Sequence, residues 1–92
     1  MKGKFKLRGI NYEVELTDEV RSVGNYKVEK IDDNTTKITV SGNISNKEFM
    51  TIASKLSRYL LTIGDLTGKE LQNFEDELLD IWMFKNFRYT TE

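Results

Sequence analysis

The sequence predicts an α+β domain in the order ββββαα: an antiparallel β-sheet of two hairpins, about four strands, followed by a C-terminal antiparallel helix pair packed on one of its faces. Three observations carry this expectation. Apolar and charged residues alternate strictly from Lys2 to Leu16, apolar residues recur at three- and four-residue spacing after Asn46, and each helical stretch is preceded by its own capping signal. At 92 residues the chain suits one domain, residues 1–92, with the hairpins in 1–43 and two helices plus a short tail in 44–92. A domain of this size buries roughly 60 to 65% of its unfolded surface, which is enough for one core and too little for two.

The first hairpin places Phe5, Leu7, Tyr12, Val14 and Leu16 on one face and Lys4, Lys6, Glu13 and Glu15 on the other. A two-residue loop at Gly9-Ile10 with glycine leading sets Leu7 opposite Tyr12, Phe5 opposite Val14, Lys6 opposite Glu13 and Lys4 opposite Glu15. A loop at Arg8-Gly9 keeps the same faces but asks arginine for a positive φ, so it ranks second. Thr17-Asp18-Glu19-Val20 opens either a single helical turn ending at Gly24 or a polar connection.

The second pair is Tyr26 to Ile31 and Thr36 to Val40, around Asp32-Asp33-Asn34-Thr35, where Asn34 tolerates a left-handed conformation. Val28 and Ile31 fall on opposite faces of an ideal strand, which points to a bulge beside the turn.

Helix one is expected from Asn46 to about Ile63. Ser45-Asn46-Lys47-Glu48 is a capping box, Ile44 and Phe49 form its staple, and Gly64 stands where a left-handed residue stops the helix. Thr67-Gly68-Lys69-Glu70, with Leu66 and Leu71, repeats the signal and predicts helix two from Gly68 to about Lys85. The stripe of helix one is Phe49, Ile52, Ala53, Leu56, Tyr59, Leu60 and Ile63; that of helix two is Leu71, Phe74, Leu78, Ile81 and Trp82, with Leu79 on its flank. The expected core combines Phe5, Leu7, Tyr12, Val14, Val28, Ile38, Val40, Phe49, Ile52, Leu56, Leu60, Leu71, Phe74, Leu78 and Trp82.

Composition removes several function classes. There is no cysteine and no histidine, so disulfides, thiolate sites, histidine general bases and the usual zinc ligands lose a required part. The expectation is accordingly no catalytic residue, no metal, no cofactor and no enzymatic activity. A net charge of −1 supplies no global attraction to nucleic acid or an anionic membrane, and no apolar run reaches the length of a membrane span, so a soluble, cytoplasmic protein is expected. Gly64 to Glu70 superficially suggests a phosphate-binding loop, but the glycine spacing is short, no hydroxyl residue follows Lys69, and a helix precedes it.

Two surfaces stand out. Lys2, Lys4, Lys6 and Arg8 form a basic ladder suited to phosphate contact, although Glu13 and Glu15 oppose it and argue against nucleic acid as a partner. Beyond the stripe of helix two, Met83, Phe84 and Phe87 point outward past Asp76 and Asp80 if the helix continues, giving an apolar patch with an acidic rim. The competing reading ends the helix at Asn86 and folds the tail back over the core. These features favour a protein-binding module, acting as an accessory or inhibitor protein that occludes a partner surface through Asp76, Asp80, Met83, Phe84 and Phe87. The alternatives are self-association through the same patch and nucleic-acid contact through the basic strand. In style, a lysine- and asparagine-rich small domain of this kind is similar to phage accessory and inhibitor proteins, a likeness that assigns no residue a role.

Overall fold

The computed structural model describes residues 1–18 and 24–91, with side chains described as far as Phe84. Four strands, β1 (Lys2–Leu7), β2 (Ile10–Thr17), β3 (Tyr26–Asp32) and β4 (Thr35–Ser41), precede two helices, α1 (Asn46–Thr62) and α2 (Leu71–Thr91). The segment expected to open a helical turn after Thr17 lies largely outside the described residues; Thr17 itself is the last residue of β2.

The ββββαα order is as expected, but the sheet is mixed rather than wholly antiparallel. Its strand order is β1-β2-β4-β3, with β2 and β4 parallel at the centre and the two hairpins antiparallel. Strand composition explains the order. Thr36, Ile38, Val40 and Ser41 of β4 are buried, so β4 belongs inside the sheet. Lys27, Lys30 and Asp32 of β3 are exposed, which suits an edge. The expected bulge occurs at Ile31, where the register shifts between Lys30 and Asp32 and interrupts that edge. Asn34 does not take the left-handed conformation; its amide instead donates to the Asp32 carboxylate at 2.7 Å.

The first hairpin adopts the register ranked second. Its loop is Arg8-Gly9, with φ of 52° and 79°, so Leu7 pairs with Ile10, Phe5 with Tyr12, Lys4 with Glu13 and Lys2 with Glu15. Arg8 at positive φ is held by two contacts outside the hairpin. Its Nε lies 3.2 Å from a Glu70 carboxylate oxygen, and its guanidinium donates to the Gly64 carbonyl at 3.4 Å. Positive φ at both loop residues also matches the twist of the paired strands.

Helix α1 begins and ends as the sequence requires. The Ser45 hydroxyl accepts from the Glu48 amide at 3.1 Å, and Gly64, at φ 84°, allows the Asp65 and Gly64 amides to donate back to the Leu60 and Leu61 carbonyls. Helix α2 starts later than expected, at Leu71 rather than Gly68. The Glu70 carbonyl accepts the first helical bond, from Phe74, while the Thr67 hydroxyl donates to the Glu70 carboxylate instead of capping a backbone N–H. The Glu70 carboxylate turns to the Thr67 hydroxyl and to Arg8. The helix also passes the expected end at Lys85 and runs to Thr91, so the tail does not fold back as a strand.

Both helices cover one face of the sheet. Every residue of the expected core is buried or packs against the buried cluster, which also takes in Leu16, Ala53 and Leu66. Two expected members of the α1 stripe, Tyr59 and Ile63, are instead exposed, and Ser57 is buried. The stripe turns toward α2, which carries its far edge out of the core. Phe5 stacks on Tyr12, and Phe74 meets both rings edge-on; Phe49 stacks on Trp82 with centroids 4.4 Å apart. Gly3 lets α2 approach β1 closely, because a Cβ there would meet Ile81 Cδ1 at 2.7 Å.

Candidate protein-interaction surface

Helix α2 is amphipathic only through its inner stripe. Phe74, Leu78 and Trp82 are buried, whereas Asp76, Asp80, Met83 and Phe84 are exposed, the last two at 62% and 53%. Phe87 lies further along α2, and its side chain is outside the described residues. From Leu71 to Phe84 the helix carries Glu75, Asp76, Glu77 and Asp80 and no lysine or arginine. Asp76 is steadied by Gln72, whose amide donates to it at 2.9 Å.

Two bonds fix the register of the antiparallel helices. Trp82 Nε1 donates to Asn46 Oδ1 at 2.7 Å, and the Ser54 hydroxyl donates to Glu75 Oε1 at 3.2 Å. Met50 stands one turn before Ser54, and Leu79 one turn after Glu75, so these two sit level across the same seam. Met50 is 56% exposed, Leu79 is half-buried, and Met83 follows Leu79 by one turn. Together they form an apolar strip along the outer side of the helix pair, bordered on α2 by Asp76 and Asp80 and on α1 by the exposed Lys47 and Arg58. Methionine suits such a surface because its unbranched, polarizable side chain adapts to varied contours.

Met50 escaped the sequence reading. Its place beside Phe49 gives its angle on α1, but only the helix–helix register shows that this angle faces the α2 seam.

The basic ladder is divided by the fold. Lys2, Lys4 and Lys6 are exposed on the open face of the sheet, while Arg8 sits in the turn and engages the helix–helix connection. The paired registers set Lys4, Glu13, Lys37 and Glu29 in one row across all four strands, alternating in sign. Lys37 lies 3.6 Å from Glu15, and Lys27 lies 3.5 Å from Glu29. A phosphate backbone laid on this face would meet carboxylates between the lysines, which opposes the nucleic-acid reading.

No helix among the described residues is long and apolar enough to cross a membrane. No protein-family model, curated protein or solved structure matches this chain, so the surface is read from its own chemistry.

Proposed function

We propose that the chain is a non-enzymatic protein-binding module that docks through the outer side of α2, using Asp76, Asp80, Met83, Phe84 and Phe87, with Met50 extending the apolar strip. The observation that carries this reading is the exposure of Met83 and Met50, one on each helix, with the charges of α2 up to Phe84 all acidic. Apolar anchors inside a charged rim provide affinity at the centre and orientation at the edge. The acidic rim favours a partner with basic groups around an apolar recess, and occlusion of that recess would make the module an inhibitor or accessory protein.

Affinity capture with the wild type and with Met83→Glu and Asp80→Lys variants tests the reading. Loss of the captured partner, with the circular dichroism spectrum unchanged, supports it. Retention of the same partner by both folded variants places binding on another surface.

A second reading, self-association through the same strip, is favoured by the basic border on α1. A two-fold axis parallel to the helices would set Lys47 and Arg58 of one copy over the acidic α2 of the other. Sedimentation over a wide concentration range separates the two readings, because a strict monomer removes the second.

A further inference from the structure

We propose that β3 pairs with β3 of a second copy of this chain, antiparallel and in a register centred on Val28, joining the two sheets edge to edge. This surface is separate from the α2 strip. β3 ends the sheet, with no strand beyond it among the described residues. The Ser41 amide donates to the Asn25 carbonyl at 2.9 Å, which makes Asn25–Ser41 a hydrogen-bonded pair and fixes the alternation along the β3–β4 ladder. Lys27 and Glu29 therefore turn their backbone groups toward β4, while Tyr26, Val28 and Lys30 turn theirs outward. This outward row is bounded by Asn25, at φ 65°, and by the bulge at Ile31, and Val28 is its midpoint.

Charge selects the occupant and the register. Outward backbone groups must meet outward ones, so Tyr26, Val28 and Lys30 face the same set in the other copy, and both helical layers stay on one side of the joined sheet. Centring on Lys27 would oppose lysine to lysine, and centring on Glu29 would oppose glutamate to glutamate. Of these registers, the one centred on Val28 sets Lys27 of each copy opposite Glu29 of the other, at non-hydrogen-bonded positions where side chains approach most closely. Within one chain these two side chains are 57% and 43% exposed and lie 3.5 Å apart, so pairing would close a ring of four alternating charges. The opposite edge, β1, offers no such match, because self-pairing sets its Lys2, Lys4 and Lys6 against lysine.

The flank of α1 supports the same axis. Glu48, Ile52 and Lys55 border one cleft with Asn25 at the start of β3, and Lys30 reaches Asp65, just past the end of α1, at 3.0 Å, so the helix runs alongside the strand. Tyr59 and Ile63 continue that flank by helical spacing and are 50% and 42% exposed. A two-fold axis through Val28, perpendicular to the sheet, turns them toward the same flank of the other copy.

Sedimentation of the wild type, Lys27→Glu, Glu29→Lys and an equimolar mixture of the two variants tests the proposal. The wild type should dimerise as concentration rises. Each variant alone should self-associate about tenfold more weakly, since both cross-strand pairs become like-charged. The mixture should recover the dimer, because an acidic edge then faces a basic one. A strictly monomeric wild type, unchanged self-association of either variant, or a mixture no stronger than its components overturns the proposal. So does loss of the dimer in Met83→Glu, which would move it to the α2 strip. Hydrogen exchange needs no variant: the Val28 amide should be protected more strongly at high protein concentration, and equal protection at all concentrations refutes the pairing.

Discussion

Burial pushes the Tyr12 phenol from 10.0 up to about 12, with the Asp65 carboxylate adding to the rise and Arg8 opposing it. The shift favours the neutral form in the folded protein, so its stabilising contribution is complete below the unfolded value. That contribution declines above pH 10 and is gone once the pH passes about 12. A shift of this size corresponds to about 2–3 kcal/mol. Solvent around the charged neighbours Asp65 and Arg8 screens the phenol, so this figure is the most the shift contributes. Urea unfolding of the wild type and Tyr12→Phe at a series of pH values across this window isolates the contribution, since phenylalanine has nothing to ionise. The stability difference between the two proteins should move by at most about 2–3 kcal/mol across the window, against the wild type. Ultraviolet difference absorbance should place the Tyr12 phenolate well above pH 10. Because burial is the largest cause, Asp65→Asn should lower the midpoint while leaving it elevated, and Arg8→Gln should raise it further. Ionisation of Tyr12 near pH 10 in the folded protein, or a constant difference from Tyr12→Phe, would refute the reasoning.

The fold makes two further predictions by urea denaturation. Gly3→Ala should destabilise by about 1–3 kcal/mol, because the new methyl must displace Ile81; combining it with Ile81→Ala should cost less than the two changes separately, and full additivity would show that the two residues do not meet. Ser45→Ala should cost about 1 kcal/mol through loss of the α1 cap, whereas Thr67→Ala should cost no more than a few tenths, since its hydroxyl bonds a carboxylate rather than the backbone of α2. Equal losses would contradict the assigned start of α2.

Local pattern carried much of the fold. Side-chain alternation assigned the inner face of both hairpins, and Ser45 with Gly64 delimited α1, because these signals act within a few residues of each other. What the sequence concealed depended on distant partners. Moving the first loop from Gly9-Ile10 to Arg8-Gly9 leaves every face unchanged, so alternation cannot separate the two registers. Contacts from Arg8 to Gly64 and Glu70, far along the chain, accompany the loop that formed. The same long-range contact engages Glu70, the last residue of the second expected capping box. The central place of β4 follows from comparing the charge content of whole strands, Lys37 alone in β4 against Lys27, Glu29, Lys30 and Asp32 in β3, not from the hairpin signals that suggested a simple antiparallel sheet. At the candidate surface, the outward positions of Asp76, Asp80, Met83 and Phe84 were legible from helical spacing alone. Met50 was not, because spacing does not say which flank of α1 meets α2.

The parallel pairing of β2 with β4 also has a kinetic side. Each hairpin closes through a short loop and needs little chain entropy to form, so both are available early. Only the β2–β4 seam joins one hairpin to the other within the sheet, and its register partners lie more than twenty residues apart in the chain. Zipping that seam is therefore the slow, non-local event of sheet assembly. Until it closes, the inner edges of β2 and β4 remain open to pairing with other chains, so the same contact that completes the fold guards the nascent protein against aggregation.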